Sequence, residues 1–138
     1  MQGIYRANVV SAVLLLLLLT DVVLAFVGYL LPDLWFSIFH GTPYNDPEGF
    51  LRRCAANWLM FGVLQAIALR RWKGETVWLA VVAGARLGDM LTDWNYLYFS
   101  THMTTTGAIG LLSAGPLNFF AGLYLLAAYR RYQPGRTQ

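Results

Sequence analysis

Hydrophobic residues fill four long stretches of the chain, and polar or charged residues gather between them. Each stretch comes near the roughly 20 apolar residues that a helix needs to cross the hydrocarbon core of a bilayer. The pattern therefore predicts an all-α, polytopic membrane protein, folded as one four-helix transmembrane domain over residues 1–138. The predicted helices run at about 8–31, 47–72, 76–98 and 107–130.

Composition and charge agree with a membrane protein. Hydrophobic residues make up 57% of the chain and charged residues 12%, whereas soluble domains carry about 25% charged residues. The net charge of +3 comes from basic residues that mostly flank the predicted helices, so nucleic acid is not expected as a partner. Cys54 is the single cysteine, which rules out an intramolecular disulfide.

Basic residues are unequally divided between the two sides of the predicted bilayer. In the loops and tails, one side carries seven Lys and Arg residues and the other carries two, Arg52 and Arg53. The positive-inside rule then places both termini in the cytoplasm, with the protein in the plasma (inner) membrane. The seven basic residues are Arg6, Arg70, Arg71, Lys73, Arg130, Arg131 and Arg136.

The longest loop, at about 32–46, contains a helical signal of its own. Asp33 is positioned to cap a short helix that Gly41 would end, and we expect this interfacial helix to lie on the outer membrane surface as a lid. After it, Asp46-Pro47-Glu48 has the order of an N-cap, a proline at the first helical position and a first-turn carboxylate. This order predicts a helix start at 47.

Arg86, Asp89 and Asp93 lie inside the third hydrophobic stretch at i, i+3 and i+7, and therefore share one helical face. A charge near the bilayer centre costs at least about 2.5–3.5 kcal/mol, so such residues usually face a bundle interior or a wet cavity. Asp21 is a further carboxylate at membrane depth. Asp89, Asp93 and Asp21 are therefore the candidate catalytic residues.

Depth below the outer membrane surface, counted at about 1.5 Å per helical residue, predicts partners for these groups. Asp21 and Arg86 lie at similar depth, as do Arg53 and Asp93, and each pairing would remove an unpaired ion from low dielectric. Asp89 then has no basic partner at its depth. It is expected to stay protonated, to accept hydrogen bonds from Asn57 or to hold a cation. The predicted ion-pair network comprises Asp21, Arg53, Asn57, Arg86, Asp89 and Asp93.

Small residues recur at four-residue spacing on two predicted helices, a pattern that lets a neighbouring helix approach closely. On the third helix, Gly84 and Gly88 lie nearly opposite the charged face. This helix is therefore either the centre of the bundle or the contact with a second copy of the chain. On the fourth helix, the predicted packing seam contains Gly110, Ala114, Asn118 and Gly122.

Three roles are open for the charged face: a structural ion-pair network, an ion or proton pathway, and an acid–base site facing a lipid or a quinone. His40 and His102 are the two histidines, and neither has a third ligand at metal spacing. No metal site is predicted, and the sequence identifies no cofactor.

Residues around the longest loop carry a family resemblance. Pro32, Asp46-Pro47-Glu48-Gly49 and Leu51-Arg52-Arg53, within an order of four helices, resemble the small four-helix DoxX-like membrane proteins. The resemblance implies a compact inner-membrane bundle of a kind often found as an accessory subunit.

The leading functional prediction is a non-enzymatic, multi-pass plasma-membrane protein that acts as a homo-oligomer or as an accessory subunit of a larger complex. The alternative is a functional pocket in a small proton- or cation-coupled transporter. A membrane enzyme is the other form of this alternative, with buried carboxylates doing acid–base chemistry on a lipophilic small molecule. In both forms Asp89 is the expected functional group.

Overall fold

The structure is a computed structural model that describes residues 6–133. This part of the chain contains five α-helices joined by loops. This range contains no strand, so the predicted all-α class is confirmed. Arg136 and both predicted cytoplasmic ends lie outside the described residues. The helices are α1 (Ala7–Leu30), α2 (Pro32–Phe39), α3 (Phe50–Arg71), α4 (Val77–Phe99) and α5 (Thr105–Tyr132).

The start of α3 differs from the prediction, because the helix begins at Phe50 instead of 47. Gly49, directly before it, has a φ of +70°, a left-handed conformation that favours glycine. The Asp46 carboxylate accepts hydrogen bonds of 2.9 Å from the backbone N–H groups of Phe50 and Leu51. Asp46 therefore satisfies the exposed N–H groups of the helix, as its chemistry predicts, but across a turn that Pro47 helps to form.

The loop helix α2 lies where the sequence predicts it, although Asp33 does not cap it. The helix begins at Pro32, whose missing N–H suits the first helical position, and Asp33 lies within the first turn. There its negative charge is favourable at the helix N-terminus. At the other end Gly41 has a φ of +64°, and its N–H donates to the Phe36 carbonyl at 2.9 Å.

The four long helices pack as two pairs, α1 with α3 and α4 with α5. Glycine allows the close approach within each pair. A Cβ atom on Gly28 would lie 3.1 Å from the Trp58 ring, and one on Gly122 would lie 2.8 Å from Leu87 Cγ. The two pairs contact each other much less, mainly through α3 and α4.

One end of the bundle is filled by apolar side chains around Trp72, which is 1% exposed. Trp72 Nε1 donates to Ser11 Oγ at 3.2 Å and so ties α3 to α1. This apolar core joins the two helix pairs at that end, whereas α2 lies at the other end. The core cluster comprises Val10, Leu14, Ala68, Trp72, Leu79, Val82, Ala83, Leu125 and Ala128.

Two helices, α1 and α5, are long and apolar enough to span a membrane. α4 has 23 residues, but Arg86, Asp89 and Asp93 interrupt its apolar sequence, and α3 carries two arginines at each end. This composition indicates association with a membrane. Large hydrophobic side chains are exposed on all four long helices, including Leu16, Phe26, Leu59, Met60, Val81, Leu91, Leu117 and Phe120.

Candidate functional site

Arg86 holds two carboxylates from two different helices. Its Nη2 donates to Asp21 Oδ2 at 2.7 Å and its Nη1 to Asp21 Oδ1 at 3.2 Å, a two-pronged contact from α4 to α1. Arg86 Nη1 also lies 3.5 Å from Asp89 Oδ2, one turn along α4. Asp21 and Arg86 are 1% and 2% exposed, so the contact is shielded from solvent. This is the Asp21–Arg86 pair predicted from depth.

Asn118 of α5 lies at the centre of the network. Its Oδ1 accepts from Arg86 Nη1 at 3.3 Å, and its Nδ2 donates to Asp89 Oδ2 at 3.1 Å and to Asp93 Oδ2 at 3.0 Å. The sequence predicts Asn118 as a residue of the packing seam and an interhelical hydrogen-bond partner, but places it outside the ion-pair network. Its amide group offers both a donor and an acceptor, and that chemistry is the signal that identifies it.

Gln65 of α3 completes the contacts of Asp21. Gln65 Nε2 donates to Asp21 Oδ2 at 2.7 Å, and Gln65 is 1% exposed. The Phe61 ring lies beneath the guanidinium, with Arg86 Cζ 5.0 Å from the ring centroid, a cation–π contact. All four long helices therefore contribute to one buried polar cluster.

The predicted Arg53–Asp93 pair is wrong. Within residues 6–133, Arg86 pairs with Asp21 and with Asp89, and no ion pair shorter than 4 Å joins Arg53 to Asp93. Arg53 is exposed. Arg53 and Asp93 share a depth, but equal depth does not bring two helix faces together.

The assignment of Asp89 as the carboxylate without a partner is also wrong. Asp89 lies beside Arg86 and accepts hydrogen bonds from Asn118 and from Thr92 Oγ1, the latter at 3.3 Å. Asn57 makes none of these contacts. An arginine side chain is long enough to reach both Asp21 across the bundle and Asp89 on its own helix. Asp93 is therefore the network carboxylate that lacks a basic side chain within 4 Å among the described residues.

A cavity of about 840 Å³ lies between the two helix pairs. This volume falls within the range of about 300–1,000 Å³ that small-molecule sites occupy. Its walls are mainly apolar and aromatic, with Leu17, Trp58, Phe61 and Leu117 among the lining residues. The polar floor, as we call it, is formed by Asp21, Arg86, Asp89, Asp93 and Asn118, which line the cavity from α1, α4 and α5.

The short helix α2 covers the cavity at the end away from the apolar core. Trp35, Phe39 and His40 line the cavity from this lid, and Trp35 stacks on Phe39 with ring centroids 4.2 Å apart. His40 forms hydrogen bonds with the Tyr96 hydroxyl at 2.5 Å and with the His102 carbonyl at 2.7 Å. These contacts fix the lid to α4 and to the loop that precedes α5.

The predicted packing seam on α5 is correct in part. Gly122 contacts α4 closely, but Gly110 and Ala114 line the cavity. Each four-residue step on a helix rotates by about 40°, so a strict i+4 series leaves the contact face. The face that α5 buries instead contains Gly107, Leu111, Gly115, Asn118, Gly122, Leu125 and Ala128.

Gly84 and Gly88 do not pack within one chain. Both are exposed, and a Cβ atom on either would find no atom within 4 Å. Of the two alternatives for this helix, close packing of these glycines inside the bundle is not found, because α4 turns its charged face inward instead. Contact with a second copy stays a prediction. Among residues 6–133, no three His, Cys, Asp or Glu side chains are grouped to hold a metal ion.

Comparison with known proteins gives no further assignment. No protein-family model matches the chain, and neither a curated protein nor a solved structure matches it. The resemblance to DoxX-like membrane proteins stays a prediction.

Proposed function

We propose that the chain is a multi-pass plasma-membrane protein whose four long helices all span the bilayer, with both termini in the cytoplasm. The helices have 22 to 28 residues, or about 33–42 Å at 1.5 Å per residue, which is enough for a hydrocarbon core of about 30 Å. Leu59 and Met60 on α3, and Val81 and Leu91 on α4, offer apolar side chains to lipid. The uneven distribution of Lys and Arg supports the orientation.

The charges of α4 are compatible with this arrangement because they are turned inward. Arg86 is 2% exposed and Asp89 is 8% exposed, and the two lie 3.5 Å apart. An ionisable residue in a spanning helix is tolerated when it faces the bundle interior and has a partner. The inward position of these groups supports spanning by α4 in spite of its composition.

Within the bilayer, the protein binds a lipophilic small molecule between its two helix pairs. The observation that carries this proposal is the cavity of about 840 Å³, which the polar floor lines. A network that only fixed helix register would need no such space, since protein interiors are normally packed to the density of organic crystals. Apolar walls with a few convergent polar groups are typical of a binding site.

The closed end of the bundle favours binding over transport. A transporter must open its site to both sides of the membrane in turn, but Trp72, Leu79 and Leu125 fill the bundle beyond the polar floor and are each at most 1% exposed. The protein therefore holds its ligand without chemistry, either as an accessory subunit or as a homo-oligomer. The exposed Gly84 and Gly88 on α4 support contact with a second copy.

An enzyme is the second candidate function, and Asp93 favours it. Asp93 lines the cavity and has no basic partner within 4 Å among the described residues, so its carboxylate is available as an acid or base. In this alternative Asp93 takes the role that the sequence assigns to Asp89.

Mass spectrometry of lipophilic molecules that purify with the protein tests the proposed function. Cys54 lines the cavity, whereas Ala56, two residues along α3, is exposed and outside it. We expect the wild type and Ala56→Trp to retain the same molecule and Cys54→Trp to lose it, because an indole there fills the space. Equal retention by Cys54→Trp would contradict binding in this cavity.

A further inference from the structure

The charges on the cavity walls do not balance. Four lining residues carry carboxylates, Asp21, Asp46, Asp89 and Asp93, against the single guanidinium of Arg86. The Asp46 oxygens are both used by backbone N–H groups, and Asp21 and Asp89 share Arg86. Only Asp93 has no opposite charge within 4 Å among residues 6–133, and the one hydrogen bond it receives comes from the neutral Asn118 amide.

A neighbouring basic side chain does not correct this imbalance. His40 is the other lining residue that can become positively charged, but it belongs to the lid. Both of its ring nitrogens are already occupied, by the Tyr96 hydroxyl and the His102 carbonyl. An uncompensated carboxylate in a low-dielectric cavity is costly, and a cation held next to it removes that cost.

A further group shows that the cavity contacts are incomplete. Arg86 is 2% exposed, and its Nε has no hydrogen-bond partner. The Arg86 side chain lines the cavity from the polar floor. Buried donors of this kind are normally satisfied, so this unpaired Nε points to an acceptor atom on a ligand.

The aromatic walls select the chemistry of the cation. Trp35, Trp58, Phe61 and Tyr96 surround the space between the lid and the polar floor. Aromatic faces attract ammonium groups, and they also pack against hydrocarbon. A metal ion would leave most of this apolar volume empty, whereas an organic cation with a large apolar body fills it.

We infer that the cavity binds a lipophilic amine, with its ammonium group at Asp93, its apolar body between the helix pairs and an acceptor atom within reach of Arg86. This inference rests on the proposed function and names the ligand class. In this inference Asp93 recognises the ligand, and the contacts among Asp21, Arg86 and Asp89 stabilise the polar floor.

Binding of a matched pair of probes tests the inference. The probes are tritium-labelled 4,4-diphenylbutylamine and 4,4-diphenylbutan-1-ol, which differ only in the ammonium and the hydroxyl group. The protein is held in phosphatidylcholine nanodiscs. We expect the wild type to bind the amine at least tenfold more tightly than the alcohol, because only the amine can neutralise the carboxylate.

Substitution of the carboxylate provides the second measurement. Asp93→Asn keeps an acceptor for Asn118 and removes the charge, so amine binding should fall at least tenfold while alcohol binding stays the same. Glu48→Gln is the control, since Glu48 is exposed, lies outside the cavity and belongs to a loop. It should change the binding of neither probe.

The outcomes separate the inference from the function on which it rests. Equal binding of amine and alcohol to the wild type, or unchanged amine binding by Asp93→Asn, would overturn recognition of an amine and leave the binding cavity in place. Failure of the wild type to bind either probe above the level of empty nanodiscs would overturn both. The comparison of the two probes on the wild type decides the inference even if Asp93→Asn does not fold.

Discussion

Asp21 and Arg86 connect the two helix pairs through hydrogen bonds of 2.7 and 3.2 Å, from the middle of α1 to the middle of α4. Both residues are buried and line the cavity. Arg86 also follows the core residues Val82 and Ala83 by one turn of α4. The Asp21–Arg86 pair therefore stabilises the polar floor.

Loss of Arg86 should destabilise the protein strongly. Arg86→Gln leaves buried carboxylates without their cation, and we expect the free energy of unfolding to fall by about 3–5 kcal/mol. The double variant Asp21→Asn/Arg86→Gln should recover part of this loss. Arg53→Gln, at an exposed position, should change stability by no more than about 0.5 kcal/mol. A double variant as unstable as the sum of the single ones would mean that the pair is not coupled.

Replacing Asn118 should destabilise the protein more than replacing Asn57, although the sequence prediction puts Asn57 in the ion-pair network and leaves Asn118 out of it. Asn118→Leu removes hydrogen bonds to Arg86, Asp89 and Asp93, and a bond to a charged group contributes about 1.5–3 kcal/mol. Asn57→Leu breaks none of these bonds. Unfolding of both variants in the same detergent measures the difference, and a larger loss for Asn57→Leu would contradict the observed network.

The lid depends on glycine at one position of α5. A Cβ atom on Gly107 would lie 2.5 Å from the Phe39 carbonyl oxygen and 2.9 Å from Phe39 Cα, which belong to the backbone of α2. Gly107→Ala should therefore displace α2 and speed amide hydrogen exchange over Pro32–Phe39. Gly110→Ala is the control, because its Cβ would meet Phe39 Cε1 at an ordinary 3.5 Å. Similar exchange in both variants would show that the contact does not hold the lid.

The proposed orientation predicts which loops face the cytoplasm. In a Cys54→Ser background, Lys73→Cys should be protected from an impermeant thiol reagent in intact cells, and Thr101→Cys should react. Both positions are exposed in loops at opposite ends of the bundle. Labelling of Lys73→Cys from outside would reverse the orientation, and labelling of both would contradict spanning by α4.

The exposed glycines of α4 provide a test for a second copy. Gly88→Leu should leave the melting temperature nearly unchanged, since no atom lies within 4 Å of its Cβ position. If this face contacts another chain, native mass spectrometry should show dissociation, because close helix approach is blocked. We expect dissociation; an oligomer that persists in Gly88→Leu would assign the face to lipid.

The sequence by itself determines the helices and the inward charges. Four long apolar stretches predict the long helices of the structure to within three residues at each end. Spacing alone puts Arg86, Asp89 and Asp93 on one face of α4. Helix periodicity and the cost of burying charge are local properties, so no knowledge of neighbouring helices is needed to infer them.

Only the tertiary structure decides which carboxylate is left without a cation. Residue counting predicts Asp89, but the reach of Arg86 and the position of Asn118 satisfy Asp89 and leave Asp93 at the cavity wall. The cavity itself has no sequence signal, because it depends on how far two helix pairs stand apart. Distances between helices arise from packing of residues remote in the chain, such as Gly122 against Leu87, and no single stretch of sequence encodes them.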